Sequence, residues 1–178
     1  AFDEVNADHI FVLPNNSNII LAARQAASMY RDSEIIVIES KNIGQAYSAL
    51  SLLDYSSGDA EKIARKIRSD MDGVVTGMVT RSVRDATLNG IEISNNDFIG
   101  FTDKTMLAAE KDKTLVFKEL AEKMGIDEKQ YCIVIYGKDA SEEDCSAAEN
   151  YVCRNYPKVE YYAMYGGQDV YDYILILE

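Results

Sequence analysis

Near the start of the chain four apolar residues, Ile10-Phe11-Val12-Leu13, run up to Pro14 and are followed by Asn15-Asn16-Ser17-Asn18. The apolar run predicts a short buried strand, which Pro14 ends. The amide and hydroxyl cluster predicts a helix start, after which Ile19, Ile20, Ala23, Ala26 and Ala27 lie at helical spacing. Strand, polar loop and helix in that order form the unit of α/β folds. The loop falls at the carboxyl end of the strand, the edge of an open sheet where ligands and partners usually dock. The same order then repeats. Residues 34–38 read as a strand, Glu39-Ser40-Lys41-Asn42 as a polar loop, and Ile43, Ala46, Tyr47, Leu50 and Leu53 as the apolar positions of a helix. After a loop over 54–58, Asp59 is placed to cap a further helix carrying Ile63, Ile67 and Met71. Two strands separated by helices predict a crossover and a small parallel sheet.

The pattern changes after Asp72-Gly73. Residues 74–82 are β-rich, and Leu88-Asn89-Gly90-Ile91 contains Asn-Gly, a strong hairpin signal. Asn95-Asn96-Asp97 predicts another turn. Phe98-Ile99-Gly100-Phe101 and Met106-Leu107-Ala108-Ala109 flank a third at Thr102-Asp103-Lys104. A helix is expected over 113–124 with Gly125 as its cap, then a strand over 131–136. Ser141, with Asp144 three residues on, nearly spells a capping box for a helix that runs to about Tyr156, where Pro157 stops it. Strands follow over 159–164 and 173–177, with Gly166-Gly167 as the turn between them. The fold class is therefore α/β in two lobes. Residues 1–73 make a small parallel β-α lobe, and 74–178 an α+β lobe with antiparallel hairpins.

Charge narrows the functions. The 178 residues carry 18 Lys and Arg against 30 Asp and Glu, a formal charge of -12. Nucleic-acid binding draws on cationic neutralisation of phosphates, so it is not expected, and neither is an anionic membrane surface. No apolar run approaches the roughly 20 residues of a membrane span. The start, Ala1-Phe2-Asp3-Glu4-Val5, lacks the basic and apolar regions of a signal peptide and reads as a cut through a longer protein. A cytoplasmic domain is expected. Cys132, Cys145 and Cys153 lack metal-ligand spacing, His9 is the sole histidine, and free thiols are expected.

The residues carry a family resemblance. The run from Phe11 to Ile20, then Thr80-Arg81-Ser82-Val83-Arg84-Asp85, Gly90-Ile91-Glu92-Ile93 with Asp97-Phe98-Ile99-Gly100, and Tyr165-Gly166-Gly167-Gln168 resemble, in this order, the C-terminal region of the A-type component of bacterial fatty acid kinase. That component belongs to the wider dihydroxyacetone kinase-like family. The second lobe is also similar in element order to the C-terminal lobe of DegV-type fatty-acid-binding proteins, so the fold expected is DegV-like. The resemblance implies a non-catalytic domain. ATP and Mg²⁺ would be used by a kinase domain elsewhere, and this part would dock a DegV-type protein carrying the fatty acid to be converted to an acyl phosphate. The alternative is a lipid or small-molecule binding domain with a cleft between the lobes. DegV-type carriers place a His-containing segment where this chain has Tyr165-Gly166-Gly167-Gln168-Asp169, without His and with an anion-repelling Asp169. An independent enzyme acting on dihydroxyacetone is a third class, disfavoured because no Walker-type or Gly-rich phosphate loop is present.

The candidate binding residues are Asn15, Asn16, Ser17, Asn18, Arg81, Arg84, Asp85, Gly166, Gly167 and Gln168, with no catalytic or metal residues expected. The Asn-Ser run serves either helix capping or contact with an anion or partner. Arg81, Arg84 and Asp85 serve either an ion-pair network tying the lobes or recognition of a carboxylate or phosphate, which the guanidinium fork suits. Glu142-Glu143-Asp144 fits the electropositive start of a helix rather than catalysis. Of 12 tyrosines, Tyr151, Tyr156, Tyr161, Tyr162, Tyr165, Tyr171 and Tyr173 crowd the end of the chain. Most suit sheet packing, and a minority a partner surface.

Overall fold

The computed structural model describes residues 1–103 and 105–178 and divides into two units, Ala1–Val74 and Val75–Glu178. In the first unit a one-turn helix α1 (Phe2–Val5), not foreshadowed by the hydrophobic pattern, precedes strand β1 (His9–Val12). Helix α2 (Ile20–Met29), strand β2 (Glu34–Val37), α3 (Ile43–Ser51) and α4 (Ala60–Met71) complete it. β1 and β2 pair in parallel, from His9 opposite Glu34 to Val12 opposite Val37. Ile36, Ile38, Ala49, Ile63, Ala64, Ile67 and Met71 form the core, with Phe11 and Leu13 packed against it. Each fully buried residue of Ile, Leu or Phe size contributes about 1.5–3 kcal/mol. Asp59 caps α4 by accepting from the Lys62 amide at 2.9 Å, as its position predicts. His9 lies within β1 rather than before it, and its Nδ1 is 2.8 Å from Glu34 Oε2 across the strand pair.

The second unit holds strands β3 (Val75–Arg81), β4 (Ala86–Leu88), β5 (Ile91–Ile93), β6 (Phe98–Thr102) and β7 (Thr105–Glu110). Helix α5 (Lys113–Lys123), β8 (Tyr131–Tyr136), α6 (Glu142–Asn155), β9 (Glu160–Tyr165) and β10 (Tyr173–Leu177) follow. Asn89 (φ 53°) and Gly90 (φ 79°) turn the small β4–β5 hairpin, the left-handed pair that Asn-Gly suits. β6 and β7 form the second expected hairpin; of its turn, Lys104 lies outside the described residues. Six strands make one sheet in the order β7-β6-β3-β10-β8-β9. α5 packs on β3, β6 and β7, and α6 on α5 and β9. Between helices and sheet lie Val79, Phe98, Val116, Phe117, Leu120, Val134, Val152, Tyr173, Leu175 and Leu177.

The closing strands are not the hairpin expected about Gly166-Gly167. β9 pairs with β8 in parallel, while β10 enters the sheet between β3 and β8, antiparallel to both. The physical reason is burial. All five residues of Tyr173–Leu177 are buried, which a central position satisfies, whereas every residue of β9 is at least partly exposed and the strand takes the edge.

The segment from Gly166 to Asp172 therefore crosses the end of the sheet. Gly166 and Gly167 amides donate to the Tyr136 carbonyl at 2.8 and 3.2 Å, the Gln168 carboxamide to the Ile135 carbonyl at 3.1 Å, and the Asp172 amide to the Val79 carbonyl at 2.8 Å. A Cβ at Gly137 would sit 2.2 Å from the Tyr171 carbonyl oxygen, a backbone atom that cannot swing aside. Gly137→Ala is expected to destabilise the chain by about 2–4 kcal/mol, read as a lower urea midpoint. The Tyr173 hydroxyl is buried and has no hydrogen-bond partner among the described residues. Removing an unpaired buried hydroxyl relieves a cost of about 1–3 kcal/mol, so Tyr173→Phe is expected to leave the midpoint unchanged or raise it.

Candidate functional site

Each unit gathers polar groups at one end of its sheet. In the first, the carboxyl ends of β1 and β2 lie side by side because the strands are parallel and in register. The Ile38 amide donates to the Val12 carbonyl at 2.9 Å, and the buried Ser40 hydroxyl donates to the Pro14 carbonyl. Two loops, 14–18 and 39–42, are thereby tied together. Asn16 Oδ1 accepts from the Asn18 amide at 2.9 Å and caps a single 3-10 turn, Ser17–Ile19; the α-helix itself starts only at Ile20. The capping role expected for this run is thus filled by Asn16, while Asn15, Ser17 and Asn18 stand exposed. In the second loop Asn42 Oδ1 accepts from the Gln45 amide at 3.0 Å, the Lys41 amide donates to Gln45 Oε1 at 2.9 Å, and Glu39 pairs with Arg24. Ser40, Lys41 and Asn42 do not stand out as site residues in the sequence. The repeat of strand, polar loop and helix is the signal that could have found them.

In the second unit Arg81, at the end of β3, lies with its guanidinium carbon 4.2 Å from the centre of the Phe98 ring, its cross-strand partner. A cation over an aromatic face contributes about 0.5–1 kcal/mol at an exposed site. Arg84 follows in a turn held by Ser82, whose hydroxyl donates to the Arg84 carbonyl at 2.7 Å and accepts from its amide at 3.4 Å. The Asp85 carboxylate accepts from the Asn95 amide at 2.7 Å. The ion-pair network expected among Arg81, Arg84 and Asp85 is therefore absent among the described residues. Arg81 is spent on a ring and Asp85 on a backbone amide, whereas the Arg84 guanidinium stands exposed without an ion-pair partner among the described residues. Gly166, Gly167 and Gln168 belong to this same end of the sheet. Their hydrogen-bonding groups are turned inward onto β8, so the two glycine amides are not free to hold a phosphate. Asp169 is paired with Lys138 at 2.6 Å, which holds the Asp169 carboxyl below the usual carboxylate range.

One cluster here comes from the fold alone. Lys113, the first residue of α5, brings a cation to the electropositive end of a helix, where it is disfavoured. Its ammonium is 2.6 Å from Asp144 and 3.5 Å from Asp172, donates to the Asp139 carbonyl at 3.2 Å, and is 16% exposed. Asp144 also completes the capping box of α6, accepting from the Ser141 amide at 2.9 Å. Burial alone would raise the Asp144 carboxyl. The Lys113 ammonium and the Ser141 groups outweigh it and hold the carboxyl below its ordinary value. A lysine at a helix start was the available hint, but its partners come from α6 and from the segment before β10.

Other chemistry is limited. Burial pushes the Cys132 thiol up to about 12, so it carries almost no thiolate at neutral pH. Among the described residues no group of three or more His, Cys, Asp or Glu side chains is placed to hold a metal ion, and no helix is long and apolar enough to cross a membrane. The acidic first turn of α6 does not fit a Mg²⁺ site, since Asp144 is committed to Lys113 and Ser141.

A depressed carboxyl adds stability that is complete above its unfolded value, near pH ~3.9, and is lost as the pH falls through the lower folded value. Asp144→Asn is therefore expected to lose about 1–2 kcal/mol at pH 7 in urea denaturation. The gap between variant and parent should close as both are titrated below about pH 3.

The full chain, residues 1–178, matches the C-terminal family of fatty acid kinase A-like (FakA-like) proteins. It is 35% identical over 178 residues to Protein YloV of Bacillus subtilis, covering 100% of this chain and 32% of that protein. The chain thus spans about a third of that relative's length. Among solved structures, the Streptococcus pneumoniae fatty acid kinase B3 protein loaded with linoleic acid matches 97% of this chain and 72% of its own, with a TM-score of 0.66 at 13% identity. A DegV lipid-binding protein of Thermotoga maritima matches 99% of this chain and 71% of its own, with a TM-score of 0.65 at 13% identity. At such identities these likenesses define the fold, which is that of the DegV proteins. By its whole-length match the chain belongs to the FakA-like C-terminal family, the C-terminal part of fatty acid kinase A-like proteins.

Proposed function

We propose that this chain is the docking domain of a fatty-acid-kinase A-type protein. It receives a DegV-type binding protein loaded with fatty acid and presents it for acyl phosphate formation. In this reading the protein is cytoplasmic, and ATP and Mg²⁺ are used by polypeptide outside these 178 residues. The observation that carries it is the whole-length match to the FakA-like family in a chain whose Gly166 and Gly167 amides and half-buried Asp144 and Asp172 carboxylates are already engaged in holding the fold. Phosphoryl transfer needs a free phosphate cradle and carboxylates open to Mg²⁺. Exposed groups remain for contact with a partner. They are Arg84, fixed in its turn by Ser82, and Asn15, Ser17 and Asn18 beside the capping Asn16.

A second reading makes the chain itself a holder of fatty acid or another small molecule. The likeness in fold to proteins solved with linoleic acid or heptadecanoic acid supports it. The segment Tyr165-Gly166-Gly167-Gln168-Asp169, which brings no histidine and ends in a carboxylate, weighs against it. Native mass spectrometry of the purified chain separates the two. A co-purified acyl chain of stoichiometric amount would replace the docking reading with the second one.

Docking makes a sharper prediction. Titrated by calorimetry with a lipid-loaded DegV-type protein, Arg84→Glu is expected to weaken binding at least about tenfold, the equivalent of a lost charge-assisted contact of ~1.4 kcal/mol. Asn16→Ala is expected to cost a few-fold by loosening the 14–18 loop. Unchanged affinity in both variants removes these residues as the contact. No binding by the parent chain overturns the docking reading.

A further inference from the structure

The first unit leaves one side of its small sheet uncovered. The Glu34 amide donates to the Asp8 carbonyl at 2.8 Å and the Ile38 amide to the Val12 carbonyl at 2.9 Å, which sets the phase of the β1–β2 pair. The main-chain groups of Ile10 and Val12 therefore face β2, and those of His9, Phe11 and Leu13 face away from it. Among the described residues no strand pairs with that outer edge. The run Ile10-Phe11-Val12-Leu13 is continuously apolar, the pattern of a strand inside a parallel sheet. It carries none of the charges or bulges that blunt a true edge.

Helix α2 is one-sided in the same sense. Seven of its ten residues are apolar, yet none is buried. At 3.6 residues per turn Ile20, Ala23 and Ala27 share one face, and these are the half-buried positions turned toward the sheet. Arg24 lies on one flank of that face, where it pairs with Glu39 just beyond β2. Ala22, Ala26 and Met29 lie on the opposite flank and are all exposed, Met29 by 79%. The charged flank thus belongs to the β2 side and the apolar flank to the outer side of β1, beside the unpaired edge.

We propose that the stretch of the full-length protein preceding Ala1 completes this unit, adding a strand to the outer edge of β1 and laying apolar side chains against Ala22, Ala26 and Met29. Two observations name this occupant. The DegV-fold proteins of Streptococcus pneumoniae and Thermotoga maritima match 97% and 99% of this chain but only 72% and 71% of their own, so more than a quarter of each has no counterpart in these residues. The fold is larger than the chain. The chain also spans 32% of YloV, and its family is the C-terminal part of such proteins, so about two-thirds of the polypeptide is at hand on the amino-terminal side. β1 then becomes an inner strand, and the 14–18 loop lies between two strand ends instead of at the margin of the sheet. This rests on the family match and not on the docking reading.

Hydrogen exchange on the full-length protein tests this without any variant. The outward amides of His9, Phe11 and Leu13 are expected to be protected to within about tenfold of the inward amides of Ile10 and Val12, as in a strand paired on both sides. Free exchange at the outward positions overturns the proposal. Cysteine labelling reads the helix. In the full-length protein Gln25→Cys, on the outer face of α2, is expected to react with a maleimide at least about tenfold faster than Met29→Cys, followed by peptide mass spectrometry. Equal rates overturn the proposal. A photoactivatable benzophenone amino acid at position 29 then identifies the occupant, with capture expected in residues before Ala1 of the same polypeptide. Capture of a second copy, of residues 30–178, or of a DegV-type protein overturns the proposal. So does protection of the outward amides that is lost on dilution or gained only when a DegV-type protein is added.

Discussion

The second unit depends on the placement of one strand. β10 is hydrogen-bonded on both sides, to β3 through Tyr173–Val79 to Leu177–Val75 and to β8 through Tyr173–Tyr136 to Leu177–Cys132. Without it the sheet separates into a three-stranded half, β7-β6-β3, and a pair, β8-β9. Its five residues are buried, and the Tyr173 ring stands edge-on to Phe117 at 5.5 Å and to Tyr136 at 5.6 Å. The last residues of the chain thus join elements made far earlier, a non-local arrangement whose loop-closure cost is repaid by apolar burial.

That placement also shapes the end of the sheet where Arg81, Lys113 and the Gly166–Asp172 segment meet. To reach a central position the chain must cross from the edge strand β9 over β8 toward β3. The crossing uses glycine amides, the Gln168 carboxamide and the Asp172 carboxylate as structural fastenings. The polar groups of this crossing are consumed in holding the fold. The family to which the chain belongs forms the C-terminal part of a longer protein, about a third of the length of the relative YloV.

The first unit carries a different balance. Its two-stranded parallel sheet is small, and its loops at the strand ends are joined by the Ser40–Pro14 hydrogen bond. A buried hydroxyl on a backbone carbonyl makes the two loops one rigid edge, with the exposed asparagines presented on it.

Local order was readable from residues alone because each element is marked by neighbours in sequence. The spacing of Ile63, Ile67 and Met71, the caps Asp59 and Ser141, the Asn89-Gly90 turn and the apolar run Tyr131–Tyr136 each set an element through contacts a few residues apart. The resemblance of the Asn15–Asn18 and Gly166–Gln168 runs was legible for the same reason. What those residues do was decided by partners distant in sequence. Only the assembled sheet places β10 between β3 and β8, gives Arg81 a ring and Asp85 an amide instead of each other, and surrounds Lys113 with Asp144 and Asp172. Sequence by itself determined which segments become helix or strand for most of the chain, the one-turn α1 excepted, since hydrophobic period and capping act within one element. The order of strands, and which polar groups stay free, were decided by the competition for buried positions, which exists only once all the elements are present together.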